Sequence, residues 1–507
     1  MKKVTRTISG VTPVAVMSRP AKCPGNCVYC PTYPATPQSY TPESPAVLRA
    51  LDCEFEAYKQ VDMRLRHLTE MGHVTDKIEL IIMGGTFLAT PIDYQYQFVK
   101  DCLDAMNGVP SADLEEAKQI NETAAHRCTG LCIETRPDWC GQEEIGRMLD
   151  FGTTRVELGV QTLSDDVYHL VKRGHTVEDV VKATARLREN AFKVHYHWMP
   201  GLPDMTPEED LRLSKMLFED DRFRPDGLKI YPTMVVTGTE LEKWYQEGKY
   251  KPYDDATMLD LVARIKSLVP KYVRISRVLR EIPAKFITGG VKDSLRQPLK
   301  ARMEELGIEC KCIRCREYGH RARSGWQIGE PDLTRLDYSA AGGTEVFLSF
   351  EDERETLFGL LRMRIPAAPV ILEESRFHRD DEESGGVDSQ HCHSERSEES
   401  VFSLKSQGTD SSVVSLLQND KSANTTGNIA LIRELHVFGT EVSLSRRVPG
   451  VPQHRGLGRA LLQEAEGIAK NEFKKQWMVV LSGIGAREYY REFGYDAVGA
   501  YMVKRIK

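Results

Sequence analysis

The sequence predicts an α/β protein in which a parallel sheet, open or closed into a barrel, precedes a smaller mixed α+β domain. A chain of 507 residues is too long for one compact domain. Residues 1–275 alternate short apolar runs with helix-like stretches, a pattern that is typical of parallel sheets. After residue 331 the pattern changes, because 345–352 and 357–366 have the pattern of neighbouring antiparallel strands.

The first domain contains five strand candidates. Helix candidates at 143–151 and 176–191 lie between them. In parallel α/β folds the chemistry lies at the carboxyl ends of the strands, so we expect site residues there. The strand candidates are 77–85, 127–137, 154–162, 193–203 and 227–236.

The second domain, 331–507, continues with a strand candidate at 429–439 and then alternates helix and strand candidates. A basic, cysteine-bearing connector, 276–330, precedes it. Residues 374–427 are too polar to form a core, so we predict a disordered insertion there. The later candidates are a helix at 455–472, a strand at 476–483 and a helix at 486–494.

Composition excludes several classes of protein. The hydrophobic fraction of 41% and the charged fraction of 28% are ordinary for globular proteins, which excludes fibrous and wholly disordered chains. No apolar run approaches the roughly 20 residues that a membrane-spanning helix needs. The first residues lack the apolar core of a signal peptide. We therefore expect a cytoplasmic protein without a membrane partner.

The net charge of −6 is unevenly distributed. Residues 374–425 hold eleven acidic and five basic residues, so the rest of the chain is neutral overall. Residues 271–323 hold fourteen basic and six acidic residues, a basic belt that could contact a phosphate backbone. The alternative is a solvated, ion-paired surface.

Cys23, Cys27 and Cys30 form a C-x3-C-x2-C triplet with Tyr29 before the last cysteine. Three thiolates so close in sequence predict a 4Fe-4S cluster with one iron left open for a cofactor or substrate. A zinc site or unrelated buried thiols are the alternatives. Zinc would need a fourth ligand, and no candidate lies within the next twenty residues.

This cysteine spacing, with its aromatic residue, resembles the signature of radical S-adenosylmethionine enzymes. The resemblance implies a partial TIM-like barrel whose open iron binds S-adenosylmethionine and generates a 5′-deoxyadenosyl radical. The stretch MGGTF is similar to the family's glycine motif, which implies that Gly84, Gly85 and Thr86 contact this cofactor. Segments 134–137 and 157–161 are similar to further cofactor-pocket segments; ordinary barrel loops are the alternative.

A glycine-rich turn at 453–458 leads from the strand RELHVFG into a helix. Backbone N–H groups at such a helix start can hold a pyrophosphate. The order of elements resembles the GNAT acetyltransferase fold, which implies acetyl-CoA as cofactor. The resemblance assigns the pyrophosphate to the turn and the pantetheine arm to the strand. The implied cofactor residues are Gln453, Gly456, Leu457, Gly458 and Arg459, with Glu434, Leu435, His436 and Val437.

The same resemblance places Tyr489 and Tyr490 near the thioester as catalytic residues, Tyr490 also contacting the cofactor. Packing of a short amphipathic helix is the alternative for both tyrosines.

The two domains together resemble the family of the Elongator catalytic subunit, which modifies uridine 34 of tRNA. The resemblance implies that a radical on the acetyl methyl group adds to C5 of the wobble uridine, and that oxidation and thioester hydrolysis leave 5-carboxymethyluridine. It places Lys77 against acetyl-CoA; a surface lysine is the alternative. The base of the wobble uridine must be turned out of its anticodon stack for this chemistry. Residues expected on anticodon-arm phosphates are Arg274, Arg277, Arg280, Lys285, Lys292 and Arg296.

A second triplet, Cys310, Cys312 and Cys315, lies in the connector. Its spacing predicts a structural zinc, with His320 or another cysteine as fourth ligand and free thiols as the alternative. The rival functions are a protein lysine acetyltransferase with a structural iron–sulfur domain and a tRNA-binding scaffold. The sequence leaves open whether partner subunits or a homodimer exist.

Overall fold

A computed structural model describes residues 7–292, 295–367, 428–439 and 455–506, with only the backbone at Arg296. The predicted insertion 374–427 and the predicted pyrophosphate residue Gln453 lie outside this range. Within it, every helix is too short or too polar to cross a bilayer.

The first domain is built on a parallel sheet, as predicted. Its nine strands are β1 Thr12–Met17, β2 Lys77–Met83, β3 Arg127–Thr135, β4 Arg155–Gln161, β5 Lys193–Trp198, β6 Gly227–Ile230, β7 Val235–Val236, β8 Arg274–Val278 and β9 Ile287–Gly289. Seven of them form one sheet in the order β1-β2-β3-β4-β5-β6-β8, and every pair is parallel. Strands β7 and β9 form a small antiparallel pair. The curled sheet is a partial barrel with β1 and β8 at its edges.

Thirteen helices accompany these strands within the described residues before 324. Their starts follow from capping: the Thr176 hydroxyl accepts a hydrogen bond from the Asp179 amide, and Thr206 does the same for Glu209. The helices are α1 Pro45–Asp52, α2 Ala57–Glu70, α3 Ile92–Asn107, α4 Leu114–Asn121, α5 Gln142–Asp150, α6 Asp165–Leu170, α7 Val177–Glu189, α8 Pro207–Glu219, α9 Glu240–Gln246, α10 Asp255–Leu268, α11 Arg296–Glu305, α12 Ile313–Arg316 and α13 Tyr318–Arg323.

The second domain is a mixed sheet, also as predicted. Its elements are β10 Asp332–Ala340, β11 Gly343–Glu351, β12 Leu357–Pro366, β13 Ile429–Val437, α14 Leu457–Asn471, β14 Trp477–Leu481, α15 Arg487–Arg491, β15 Asp496–Val498 and β16 Tyr501–Arg505. The strand order is β10-β11-β12-β13-β14-β16-β15. Among the described strands of this sheet, only β13 and β14 pair in parallel. Their pairing extends to Ile432 and Val480, whereas β13 continues to Val437. The two strands therefore separate and open a cleft.

Two predicted boundaries need correction. The strand expected over 227–236 is divided into β6 and β7, because Pro232 cannot donate to the parallel ladder and the chain leaves the sheet after Ile230. The domain boundary expected at residue 275 falls inside β8, which pairs with β6 and so belongs to the barrel.

One hydrophobic cluster extends from the barrel into the second domain. Phe347, Leu360 and Ile484 of the second domain pack with the buried face of the barrel. A turn of 3-10 helix, Ile484–Ala486, lies on β3, and a side chain at Gly485 would overlap Arg127 at the amino end of that strand. The second domain therefore packs against the end of the barrel opposite to the carboxyl ends of the strands.

Candidate active site

One cavity of about 500 Å³ runs through the interior of the partial barrel. At the carboxyl ends of the strands it is lined by Cys23, Cys27 and Cys30, and at the amino ends by Glu434 and His436 of β13. The residues predicted for the iron–sulfur cluster and for the pantetheine arm therefore line the same cavity, although more than 400 residues separate them in sequence.

The first cysteine triplet lies on the loop after β1. Hydroxyl and guanidinium groups surround its sulfurs: Thr86 Oγ1 lies 3.6 Å from Cys23 Sγ, and Arg173 Nη1 lies 3.5 Å from Cys27 Sγ. At least two of the three sulfurs are more than 4.8 Å apart. Sulfurs that share one tetrahedral ion lie closer together, so the triplet is not arranged around a single ion.

The MGGTF segment begins at the last residue of β2 and continues into the loop beside the cysteines. Gly84 has a φ of +130° and Gly85 a φ of +83°. A side chain on Gly84 would overlap the Ser18 hydroxyl, so only glycine lets the backbone pass here. The Ser18 hydroxyl, Thr135 Oγ1 and Gln161 Oε1 are buried without a protein hydrogen-bond partner. Unpartnered polar atoms at the strand ends fit a polar cofactor such as S-adenosylmethionine.

A layer of charged side chains lies deeper in the cavity. Lys229 Nζ is 2.8 Å from Glu134 Oε1 and also contacts Glu157, whose Oε2 lies 3.0 Å from His197 Nε2. Burial opposes ionisation of Glu157, but Lys229 and His197 overcome it and hold the pKa of this carboxyl well below its usual range. Lys229 and His197 were not among the predicted site residues. The alternation of Lys193, His195 and His197 with apolar residues in one strand is a sequence signal for His197.

The two faces of β13 have different surroundings. Glu434 accepts from Arg362 Nε at 2.8 Å and from Lys193 Nζ at 3.3 Å. His436 Nε2 lies 2.8 Å from the Ser9 carbonyl oxygen, so these two side chains face the barrel. Leu435 packs on the core of the second domain and Val437 lies beside Gly458 of α14. Of the four residues predicted to border pantetheine, two therefore face the cavity and two face the predicted pyrophosphate helix.

The predicted pyrophosphate turn leads into α14 as expected. Gly456 has a φ of +76°, and Leu457, Gly458 and Arg459 form the first turn of the helix. A side chain on Gly458 would lie 2.7 Å from the Tyr489 hydroxyl, so this hydroxyl points at the start of the helix. Burial raises the pKa of Tyr489 to about 12. Tyr490 packs in the core of the second domain, against Tyr489 and Tyr495.

Lys77 is the first residue of β2, on the side of the strand that also carries Glu79 and Ile81. The cavity reaches Glu79 but does not include Lys77 among its lining residues. Lys77 is next to Arg127 in register, at the end of the barrel that meets the second domain. Seven residues of strand place it about 20 Å from the glycine motif.

The basic belt does not form one surface. Arg274 is 23% exposed and bonds Glu317 at 2.8 Å, whereas Arg277 is 47% exposed; both line the cavity. Arg280 donates to the Ser39 carbonyl, and Lys285 pairs with Glu43. Lys292 is exposed, and Arg296 begins α11.

The second cysteine triplet has the geometry of a single-ion site. The sulfurs of Cys310, Cys312 and Cys315 all lie within 4.8 Å of one another. Hydrogen bonds from Cys310 and Cys315 hold the pKa of Cys312 well below its usual range. The predicted fourth ligand, His320, instead directs Nε2 to Glu317 at 2.9 Å and does not join the group. Three thiol sulfurs fit zinc, and the described residues supply no fourth ligand at this distance.

Comparisons with known proteins identify the first part of the chain as a radical SAM region. A profile of the Radical SAM superfamily matches residues 17–217, and one of the radical SAM C-terminal domain matches residues 225–305. A tRNA uridine(34) acetyltransferase of Dehalococcoides mccartyi is 59% identical over the whole of both chains. Human Elongator complex protein 3 is 38% identical, over 100% of this chain and 86% of the human one. A solved structure of the archaeal Methanocaldococcus infernus Elp3, with an N-terminal deletion, gives a TM-score of 0.78 at 42% identity over 98% of this chain and 100% of that chain.

Proposed function

The chain belongs to the family of tRNA uridine(34) acetyltransferases and Elongator complex protein 3, radical SAM enzymes that modify tRNA, and we propose that it carboxymethylates C5 of the wobble uridine with acetyl-CoA. One observation carries the proposal: the cysteine triplet and the barrel-facing residues of β13 line a single cavity. A cofactor at one end can therefore act on an acetyl group that enters from the other.

The overall chemistry explains why two cofactors are needed. One C–H bond of the acetyl methyl group and the C5–H bond of uracil are broken, a C–C bond forms, and water then hydrolyses the thioester to release coenzyme A. A carbanion made from that methyl group would not add at C5 of uracil, because C5 is itself nucleophilic, whereas a carbon radical can add there. A bound 4Fe-4S cluster with S-adenosylmethionine would supply the one-electron hydrogen acceptor and the electron acceptor that this sequence needs.

The protein's own residues would bind and orient. Cys23, Cys27 and Cys30 would hold the cluster, and Gly84 with Gly85 would let the backbone approach S-adenosylmethionine. The start of α14 would bind the pyrophosphate of acetyl-CoA, because Gly456, Leu457 and Gly458 leave its first N–H groups open. Tyr489, whose hydroxyl points at that turn, would border the cofactor there.

The charged layer around Glu157 and Lys229 would line the path between the cluster and β13. Its members are ion-paired with one another, so they do not compete for the substrate. Arg277, exposed at the cavity, would contact the anticodon arm once the base has been turned out of its stack. A zinc ion on Cys310, Cys312 and Cys315 would hold the connector beside the barrel.

Mass spectrometry of tRNA nucleosides tests the proposal. Anaerobically reconstituted protein with S-adenosylmethionine, acetyl-CoA, a reductant and unmodified tRNA should yield 5-carboxymethyluridine. With acetyl-CoA carrying ¹³C in the methyl group, the label should appear in the nucleoside. A protein with all three cluster cysteines changed to alanine serves as the control. Acetylated lysine on a protein substrate, with no modified nucleoside, would favour the lysine acetyltransferase instead.

A further inference from the structure

Strand β13 contacts the barrel through three polar side chains. Arg433 reaches Asp226 at the amino end of β6, Glu434 reaches Lys193 at the start of β5, and His436 reaches the Ser9 carbonyl. Arg433 differs from the other two in its burial, because its side chain is wholly inaccessible to solvent. The residue that precedes the predicted acetyl-CoA segment is therefore held between the two domains.

A β-bulge directs Arg433 towards the barrel. Ile432 pairs with Met363 and Glu434 pairs with Arg362, so Arg433 is the extra residue between two registered pairs. A bulge re-aims the side chain of its extra residue, and bulges concentrate near active sites. Here it turns a charged side chain out of the second sheet and into the barrel.

All five N–H groups of Arg433 have acceptors. Nη1 and Nη2 each donate to one oxygen of Asp226 at 2.7 Å, and Nη1 also donates to the Phe192 carbonyl at 2.9 Å. Nε and the second Nη2 hydrogen donate to Glu345 Oε2 at 3.0 and 2.8 Å. Asp226 in turn accepts from the Val194 amide at 2.9 Å, which fixes the carboxylate to β5. The fork-like contact with Asp226 is geometrically specific, and lysine cannot reproduce it.

Building on the proposed function, we propose that Arg433 is a positioning residue: its clamp, formed by the bonds of Arg433 to Asp226 and to the Phe192 carbonyl, fixes β13 relative to the barrel so that the acetyl group lies within reach of the radical site. Arg433 does not touch the substrate. It sets where Glu434 and His436 enter the cavity. A displacement of about 1 Å at a reacting atom costs on the order of a hundredfold in rate, so a loosened β13 separates cofactor cleavage from uridine modification.

Arg433→Lys tests the clamp against a matched control, Arg364→Lys. Arg364 is also a buried arginine bonded to Glu345, but its hydrogen bonds go to Ala340, Ala341 and Glu345 within the second domain. The readout is 5′-deoxyadenosine released for each modified uridine. Arg433→Lys should raise this ratio about tenfold, whereas Arg364→Lys should leave it at the wild-type value. Equal ratios in the two variants overturn the clamp.

Amide hydrogen exchange on the cofactor-free protein provides a readout that does not depend on activity. Amides of residues 429–437 should exchange faster in Arg433→Lys than in Arg364→Lys; equal rates overturn the proposal. If Arg433→Lys does not fold, the double variant Arg433→Gln/Asp226→Asn replaces the charged pair with neutral amides and is measured in the same way. A wild-type protein that makes no modified uridine refutes the proposed function, and the exchange rates then decide the clamp separately.

Discussion

His436 Nε2, in the second domain, donates a hydrogen bond to the carbonyl oxygen of Ser9, which lies 2.8 Å away. A carbonyl oxygen can only accept, so Nε2 is the ring nitrogen that carries the proton. The Ser9 hydroxyl bonds Glu317 at 3.2 Å and receives a bond from Arg274 at 3.1 Å. Ser9, which precedes β1, therefore contacts β13, the connector and β8, the last strand of the barrel sheet. This junction lies at the end of the cavity that faces the second domain.

Loss of a cluster ligand should remove the iron–sulfur centre without unfolding the protein. Cys27→Ala removes one of three sulfurs that lie, partly exposed, on a loop outside the main core. We expect iron and sulfide content to fall towards zero after anaerobic reconstitution, together with the electron paramagnetic resonance signal. Cys53→Ala, at a buried lone thiol, is the control and should keep full content. An unchanged signal in Cys27→Ala would contradict the assignment.

Gly84→Ala should weaken binding of S-adenosylmethionine. Its methyl group would overlap the Ser18 hydroxyl, and the φ of +130° disfavours any side chain. Gly72→Ala is matched in having a positive φ, +80°, but nothing lies within 4 Å of its added carbon. Measured by equilibrium dialysis, Gly84→Ala should bind S-adenosylmethionine about tenfold more weakly. Gly72→Ala should bind it with unchanged affinity. Equal affinities would show that the glycine motif does not approach the cofactor.

Asp210 should make the protein less stable as pH rises. Burial raises the pKa of this carboxyl to about 7, even though Gly201 N and the Tyr253 hydroxyl donate to it at 2.8 and 2.9 Å. In the unfolded chain its pKa is about 3.9. Between these values the unfolded chain releases the proton first, so stability present below about pH 4 is lost progressively up to about pH 7.

Asp210→Asn removes this titration and keeps a carbonyl acceptor in place. We expect the variant to match the wild type near pH 4 and to exceed it by about 2–4 kcal/mol in free energy of unfolding at pH 8. Denaturant titrations at both pH values provide the measurement. Asp166→Asn, on an exposed turn of α6, is the control and should follow the wild-type curve. Parallel pH profiles for Asp210→Asn and the wild type would refute the prediction.

Arg277 and Arg274 should contribute differently to tRNA binding. Arg277→Gln removes a half-exposed cation, so affinity should fall and the slope of log K against log salt should flatten by about one. Arg274 is occupied by Glu317, and Arg274→Gln should leave the slope unchanged. Lys300→Gln, on exposed α11, is the control. Fluorescence anisotropy with labelled tRNA at several salt concentrations distinguishes these outcomes, and equal slopes for both arginine variants would contradict the division.

Much of the fold was predictable because alternation of apolar residues is local. The pattern of β2, with Ile78, Leu80 and Ile82 buried, is visible in the sequence. The cysteine triplet and the glycine motif were predictable for the same reason, since their ligands lie within a few residues of one another.

Contacts between distant segments were not predictable. Nothing near Arg433 in sequence indicates a bulge, because the bulge arises from its register with β12. His320 follows the second cysteine triplet at a spacing that suits zinc. In the fold, however, His320 Nε2 lies 2.9 Å from Glu317 Oε1, three residues earlier in the chain. Arg274 belongs to a basic run in sequence but is paired with Glu317 in the fold.

The chain should tolerate removal of residues 374–427. Strands β12 and β13 flank this segment and pair as antiparallel neighbours, with Arg364 opposite Leu431. The chain therefore leaves and re-enters the sheet at adjacent positions, which a short loop can connect.

A Gly/Ser linker in place of 374–427 should keep acetyl-CoA turnover, because the described residues that line the cavity come from the barrel, the connector and strands β12 and β13. A shorter loop also has a smaller entropic cost of closure, so we expect the free energy of unfolding to stay equal or rise by about 1–2 kcal/mol. Thermal melts and thiol release from acetyl-CoA provide the measurements. A control that replaces the segment with Gly/Ser of equal length separates the effect of length from that of sequence. Insoluble protein or lost turnover in both variants would mean that the segment contributes to the fold.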